Sequence, residues 1–116
     1  MNDSRQYTAE EVRQKFFEHL MGLVKFWDRV DDRSAKGKMY GLIHSLLVTF
    51  DGMSGDMPGF LIYPRCHSSD PEYHKDNGDN WYPTNDDAEM ECEISCGDML
   101  HDAWGNFCRL YKLDMD

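Results

Sequence analysis

Two runs of apolar residues at helical spacing fix most of what the first half of this chain can become. Val12, Phe16, Leu20, Leu23, Val24, Trp27 and Val30 recur every three or four positions, and Met39, Leu42, Ile43, Leu46, Leu47 and Phe50 repeat the pattern. Such spacing gathers each set on one side of an α-helix. Ahead of the first run, Thr8-Ala9-Glu10-Glu11 has the form of a capping box, in which the threonine hydroxyl and the glutamate carboxylate each accept the other residue's backbone N–H. Asp31-Asp32-Arg33-Ser34 interrupts the pattern and supplies Asp32 or Ser34 as a second N-cap, while Asp51-Gly52 supplies a left-handed stop. A connection this short between two long helices predicts an antiparallel hairpin. Residues 1–7 precede any pattern and are expected to form a flexible arm, with residues 8–116 as a single domain.

Beyond residue 52 the period changes. Residues 52–59 are rich in turn formers, and Phe60-Leu61-Ile62-Tyr63, closed by Pro64, has the composition of a short strand. Residues 65–87 show no period and read as a long loop, which in so small a domain is usually functional or disordered. Tyr73, Trp81 and Tyr82 favour a loop that packs on the body. At 88–96 the sequence alternates, with Ala88, Met90, Cys92, Ile94 and Cys96 on one side and Glu89, Glu91, Glu93 and Ser95 on the other. A period of two predicts a half-buried strand with an acidic outer face. Gly97-Asp98 breaks it, Asp98 is the expected N-cap of a last helix, and Leu100, Trp104, Phe107, Cys108 and Tyr111 are that helix's stripe. The expected order is α-α-β-loop-β-α. It defines an α+β fold, the N-terminal helical hairpin and the C-terminal helix packing on a small antiparallel β-sheet.

Charge divides the chain at the same place. Residues 1–50 hold 8 Lys/Arg and 7 Asp/Glu, residues 51–116 hold 4 and 15, and the whole carries a net charge of −10. A surface this acidic argues against nucleic acid or an anionic membrane as a direct partner, since both require basic patches. No apolar run approaches the roughly 20 residues of a membrane span. With no secretory leader expected at the N-terminus, the setting read from the sequence is cytoplasmic, with reduced cysteines.

The expected partner is a basic protein surface. Glu89, Glu91 and Glu93 would stand about 6.6–6.8 Å apart along one strand face, with Asp86 and Asp87 before them and Asp70, Glu72, Asp76 and Asp79 contributed by the loop. Like charges so placed repel, and a basic partner relieves that repulsion and is steered by the field. Tyr73, Trp81 and Tyr82 add the aromatic side chains that interfaces favour. The plainer alternatives are a solvated face that keeps the protein soluble and aromatics that merely anchor the loop. Self-association is a further expectation, because an open strand edge and many aromatics need cover.

A second function class rests on Cys66, His67, Asp70, His74, Cys92, Cys96, His101 and Asp102, residue types that ligate zinc. His67, His74 and His101, with Asp70 or a cysteine, would make this a zinc protein or a metal-dependent enzyme. Against it, Cys92-x3-Cys96 would face the core side of the strand, and the adjacent Cys66 and His67 diverge in an extended segment. The plainer reading takes the cysteines as small buried hydrophobes and His44, on the second helix, as a boundary histidine. Asp76-Asn77-Gly78-Asp79-Asn80 has the composition of a calcium loop, but a glycine occupies a ligand position and no bidentate glutamate follows; Asn77-Gly78 is a turn. G-x-S-x-G, P-loop and G-x-G-x-x-G motifs are absent, and Cys66 beside His67 does not make a nucleophile–base pair, because sequence neighbours seldom meet that way. The sequence weighs against an enzyme.

Several short motifs recur together: LLVTFDG at 46–52, Pro58-Gly59-Phe60, PRCH at 64–67, DPEYH at 70–74, NGDNWYP at 77–83 and Met99-Leu100-His101. Over about residues 39–104 they resemble a family of small bacterial and prophage proteins to which no activity is attached. Its members carry a helix ending in Leu-Asp-Gly, a Pro-aromatic strand, a Pro-His-x-x-Asp segment and a Gly-Glu-Asn-Tyr-Tyr-Pro stretch. This chain departs from the pattern in Phe50 for Leu, in Cys66 placed before the histidine where the family has Pro, and in Asp79 for Glu. The resemblance implies a cytoplasmic accessory protein of bacterial or phage origin and brings no catalytic residues with it.

Overall fold

The computed structural model of the protein describes residues 4–95 and 99–110, without the side chains of Asn85 and Asp86. Five helices occur among them: α1 (Ala9–Asp28), α2 (Ala35–Phe50), α3 (Asp70–Asp76), α4 (Asn85–Glu91) and α5 (Leu100–Leu110). The hairpin forms at its expected signals. Glu11 N–H donates to Thr8 Oγ1 at 3.2 Å and Thr8 N–H to Glu11 Oε1 at 2.9 Å. Arg5 also reaches Glu11, and its hydrogen bond, ahead of the Thr8 backbone bond, holds that carboxyl down at about 2. Ser34, not Asp32, caps α2, accepting from Gly37 N–H at 3.0 Å. Gly52 has φ +79°, and a Cβ there would stand 3.1 Å from Gly59 N, so only glycine suits both the helix stop and the returning loop.

Between α1 and α2 the contacts are specific. The Trp27 indole lies so close over Gly41 that its ring carbons are 2.4–2.6 Å from where a Cβ would sit, and its Nε1–H donates to Ser45 Oγ at 2.9 Å. Phe16, Phe50 and Phe60 cluster with ring centroids 5.6–6.0 Å apart, pinning the 52–60 loop to the hairpin. On another side of α2, Tyr40 meets Trp104 of α5 at 5.9 Å. Helices α3 and α4 pack on none of these.

No sheet forms among the described residues, so the expected α+β class is overturned in favour of a helical fold. The segment read as an acidic strand begins instead as α4. Ala88 is fully buried and Met90 is 91% exposed, an arrangement that period two forbids and a helix requires, since positions two apart lie about 200° apart around it. The cause is composition: Ala, Glu and Met are strong helix formers and Ala and Glu are poor in strands, and Thr84 provides a cap position ahead of acidic first-turn residues. The 60–63 run is extended without being a strand. Among the described residues its hydrogen bonds to the other segment are Ile94 N–H to Ile62 C=O (2.8 Å) and Ile62 N–H to Ser95 Oγ (2.9 Å). A single parallel bridge pairs Cys66 with Thr84.

The supposed loop 65–87 also carries structure. In α3, Pro71 occupies the first turn, Asp70 and Glu72 stand at the positive end of the helix dipole, and His74 and Lys75 stand at the negative end. Cys96, Gly97, the expected cap Asp98, Tyr111 and the first three residues of the N-terminal arm lie outside the described residues. The result is thin and open. Counting backbone and side chain together, Gly37, Thr49, Met57, Ala88 and Cys108 are the only buried residues among those described. The molecule measures 53 × 50 × 22 Å, with a radius of gyration of 18.1 Å, against about 13 Å for a compact chain of this length.

Candidate functional site

Asp51 closes α2 and reaches across to open α5. Its side chain is only 1% exposed. Oδ1 accepts from Leu100 N–H at 2.9 Å, and Oδ2 accepts from His101 N–H at 2.9 Å and lies 2.6 Å from His101 Nδ1. Burial pushes this carboxyl up, but the backbone N–H groups of His101 and Leu100, followed by the imidazole, outweigh it and hold the group below its ordinary value. Two orphan donors of the first α5 turn are satisfied by a residue from another helix. The His101 ring stands edge-on to His44 at 5.6 Å, and its Nε2 lies 3.6 Å from Asp102 Oδ1. A carboxylate that orients an imidazole is the supporting part of a catalytic triad. Among the described residues, however, no hydroxyl or thiol is hydrogen-bonded to His101. What the pair does here is lock α5 onto α2.

Sequence reasoning gives Asp51 only the part of a helix stop and His101 only that of a metal ligand. Their meeting joins LLVTFDG to Met99-Leu100-His101, two of the motifs that carried the family resemblance. His19 escapes such reasoning altogether. Its Nε2 lies 2.7 Å from Thr49 Oγ1 in the α1–α2 seam, with Asp56 Oδ2 3.5 Å from Nδ1.

The acidic half is presented differently from the expected single face. On α4, Glu89 and Glu91 point about 200° apart, while Asp87 and Glu91 share a side and line an open cleft of about 430 Å³ between α3 and α4, together with Pro71, Lys75, Trp81 and Pro83. Lys75 Nζ stands 4.6 Å from the centre of the Trp81 ring. Glu93 lies past the helix, half-buried, and accepts from Ser95 Oγ at 2.8 Å. Asp86 is in the first turn of α4 and its side chain lies outside the described residues. Glu72, Asp76, Asp79, Asp87, Glu89 and Glu91 are exposed, and no Lys or Arg forms an ion pair with any of them among the described residues. Tyr73, Trp81 and Tyr82 are 64%, 50% and 65% exposed. They do not anchor the segment, as the plainer alternative had it.

The expected metal ligands are dispersed. His67 Nδ1 pairs with Ser69 Oγ at 2.8 Å, and His67 N–H donates to Asp70 Oδ2 at 2.9 Å, both within one turn. His74 rests against the Tyr73 ring, Cys66 donates from Sγ to Pro83 C=O at 3.0 Å, and His101 is held by Asp51. Among the described residues no group of three or more His, Cys, Asp or Glu side chains is arranged to hold a metal ion. None of the described helices is long and apolar enough to cross a membrane. Set against protein-family models, curated proteins and solved structures, the chain has no match.

Proposed function

We propose that this chain is a small acidic accessory protein, cytoplasmic and of bacterial or phage origin, that works by docking a basic protein surface with its downstream half. The observation that carries this reading is the set of exposed carboxylates on α3, α4 and the segment between them, none matched by a Lys or Arg of the chain among the described residues. These groups repel one another; a cationic surface brought against them relieves that repulsion. The α3–α4 cleft adds shape. Asp87 and Glu91 line it with Trp81, whose ring carries the chain's own Lys75; a partner's arginine or lysine would pair with the two carboxylates and compete with Lys75 for the indole. Tyr73 and Tyr82, both exposed and outside the cleft wall, add aromatic surface elsewhere on the downstream half. The setting and origin rest on the motif resemblance.

Affinity capture from bacterial lysate at low and at high salt, with the bound proteins identified by mass spectrometry, tests this reading. The wild-type chain is expected to retain basic proteins whose recovery falls with salt and falls again with Asp87→Asn, Glu89→Gln and Glu91→Gln combined. Capture indifferent to both changes, or no capture at either salt, sinks the electrostatic account.

A further inference from the structure

Part of the apolar stripe that marks α2 as a core helix is left open by this chain. Helix α1 packs on the side of α2 that carries Gly41, Ser45 and Thr49, and α5 packs on the side that carries Tyr40, His44 and Asp51. Met39 and Ile43 of the stripe are left 60% and 40% exposed. On α1, Phe17, Met21 and Val24 follow helical spacing along a side that flanks the seam with α2, each about half exposed. Val24 and Trp27 share a shallow groove with Met39 and Leu42, so the two open stripes run along the same side of the hairpin. We infer that this side is where a second copy of the chain packs, hairpin against hairpin.

The area fits that occupant. The chain exposes 9206 Å², whereas a compact monomer of its mass exposes about 6,600 Å². The difference is about 2,600 Å² over the whole chain, of which the open side of the hairpin is one part, and the roughly 1,000–2,500 Å² that each chain loses in an obligate homodimer fits within it. The charge fits as well. Residues 1–50 are nearly balanced, with 8 bases and 7 acids, so two copies can meet here without repulsion. A basic partner is drawn instead to the downstream half, whose helices α3 and α4 pack on neither α1 nor α2 and leave that face free. Two layers of hairpin also supply the second apolar layer that one copy lacks.

Sedimentation equilibrium on the full chain, over a wide range of concentration and at two salt levels, is the test. The expected result is a reversible dimer that high salt does not weaken, in contrast to any docking of a basic partner. Met21→Glu with Met39→Glu is expected to weaken association roughly tenfold or more, because the dimer would bury unpaired carboxylates, whereas Leu61→Glu, outside the face, is expected to leave it unchanged. Concentration-dependent hydrogen exchange on the wild-type chain reads the same interface without a variant, with added protection expected in α1 and α2. A monomer at every concentration, or a dimer whose added protection falls on α3 and α4, overturns the inference.

Discussion

Asp51 and His101, fifty positions apart, share a 2.6 Å contact between carboxylate and imidazole that ties the end of α2 to the start of α5. Because the same carboxylate also takes the N–H groups of Leu100 and His101, it acts as a cap supplied from another helix, and its removal leaves three donors short of acceptors. Asp51→Asn keeps the shape but turns one acceptor into a donor, and is expected to cost about 1–3 kcal/mol. Urea unfolding followed by far-ultraviolet circular dichroism measures the loss. Amide exchange at Leu100 and His101 should accelerate well beyond that of α1.

The same carboxylate sets a dependence on acid. Its folded value lies below the ordinary 3.8, so its contribution is fully present above about pH 4 and is lost as the pH falls through the folded value. The stability difference between the wild-type chain and Asp51→Asn should therefore shrink as the pH falls below about 4, since a protonated Asp51 resembles the amide. Unfolding curves collected pH by pH read that difference directly. A gap that persists unchanged in strong acid would mean the carboxylate charge contributes nothing.

The hairpin was legible because its signals are local. Thr8 and Glu11 lie three positions apart, Ser34 caps its own helix, and the apolar spacing needs no partner to be read. The acidic strand failed because alternation in Ala-Glu-Met-Glu-Cys competes with helix propensity, and where Glu89, Met90 and Glu91 all stay exposed propensity decides. α3 carried its own signals in Pro71, Asp70 and Lys75, which the loop-like composition of its surroundings masked. The Asp51–His101 contact was beyond reach for a different reason. Each residue has a sufficient local explanation, and nothing in a single sequence says that two helix ends meet.

Two glycines in the hairpin should respond with opposite signs to the same change. Gly22 of α1 has open space where a Cβ would sit, with nothing within 4 Å, so Gly22→Ala gains helix propensity, roughly 0.5–1 kcal/mol. At Gly41 of α2 the Trp27 ring stands only 2.4–2.6 Å from the corresponding position. Gly41→Ala must push the indole away and strain its bond to Ser45, and is expected to destabilise by about 1–3 kcal/mol in spite of the propensity gain. Thermal unfolding of both variants is sufficient, with near-ultraviolet circular dichroism reporting whether Trp27 moves.

The His19–Thr49 contact makes the most detailed prediction, because the direction of its hydrogen bond can be worked out. Thr49 Oγ1 donates its single proton to Ser45 C=O at 3.0 Å. The 2.7 Å contact to His19 must then run from Nε2–H to Oγ1. Thr49 is 1% exposed and the His19 side chain 7% exposed, so water cannot replace a lost acceptor there. Thr49→Val keeps the shape and strands that N–H, at an expected cost of about 1–3 kcal/mol. His19→Phe combined with Thr49→Val removes donor and acceptor together, and should cost less than the two single changes added, with a coupling of about 0.5–3 kcal/mol. Asp56, 3.5 Å from the other ring nitrogen but 78% exposed, should behave differently: Asp56→Asn is expected to stay within about 0.5 kcal/mol of the wild-type chain. A cycle in which Thr49 and His19 simply add, while Asp56 carries the larger effect, would mean that the ion pair, and not the buried hydrogen bond, holds this part of the seam between α1 and α2.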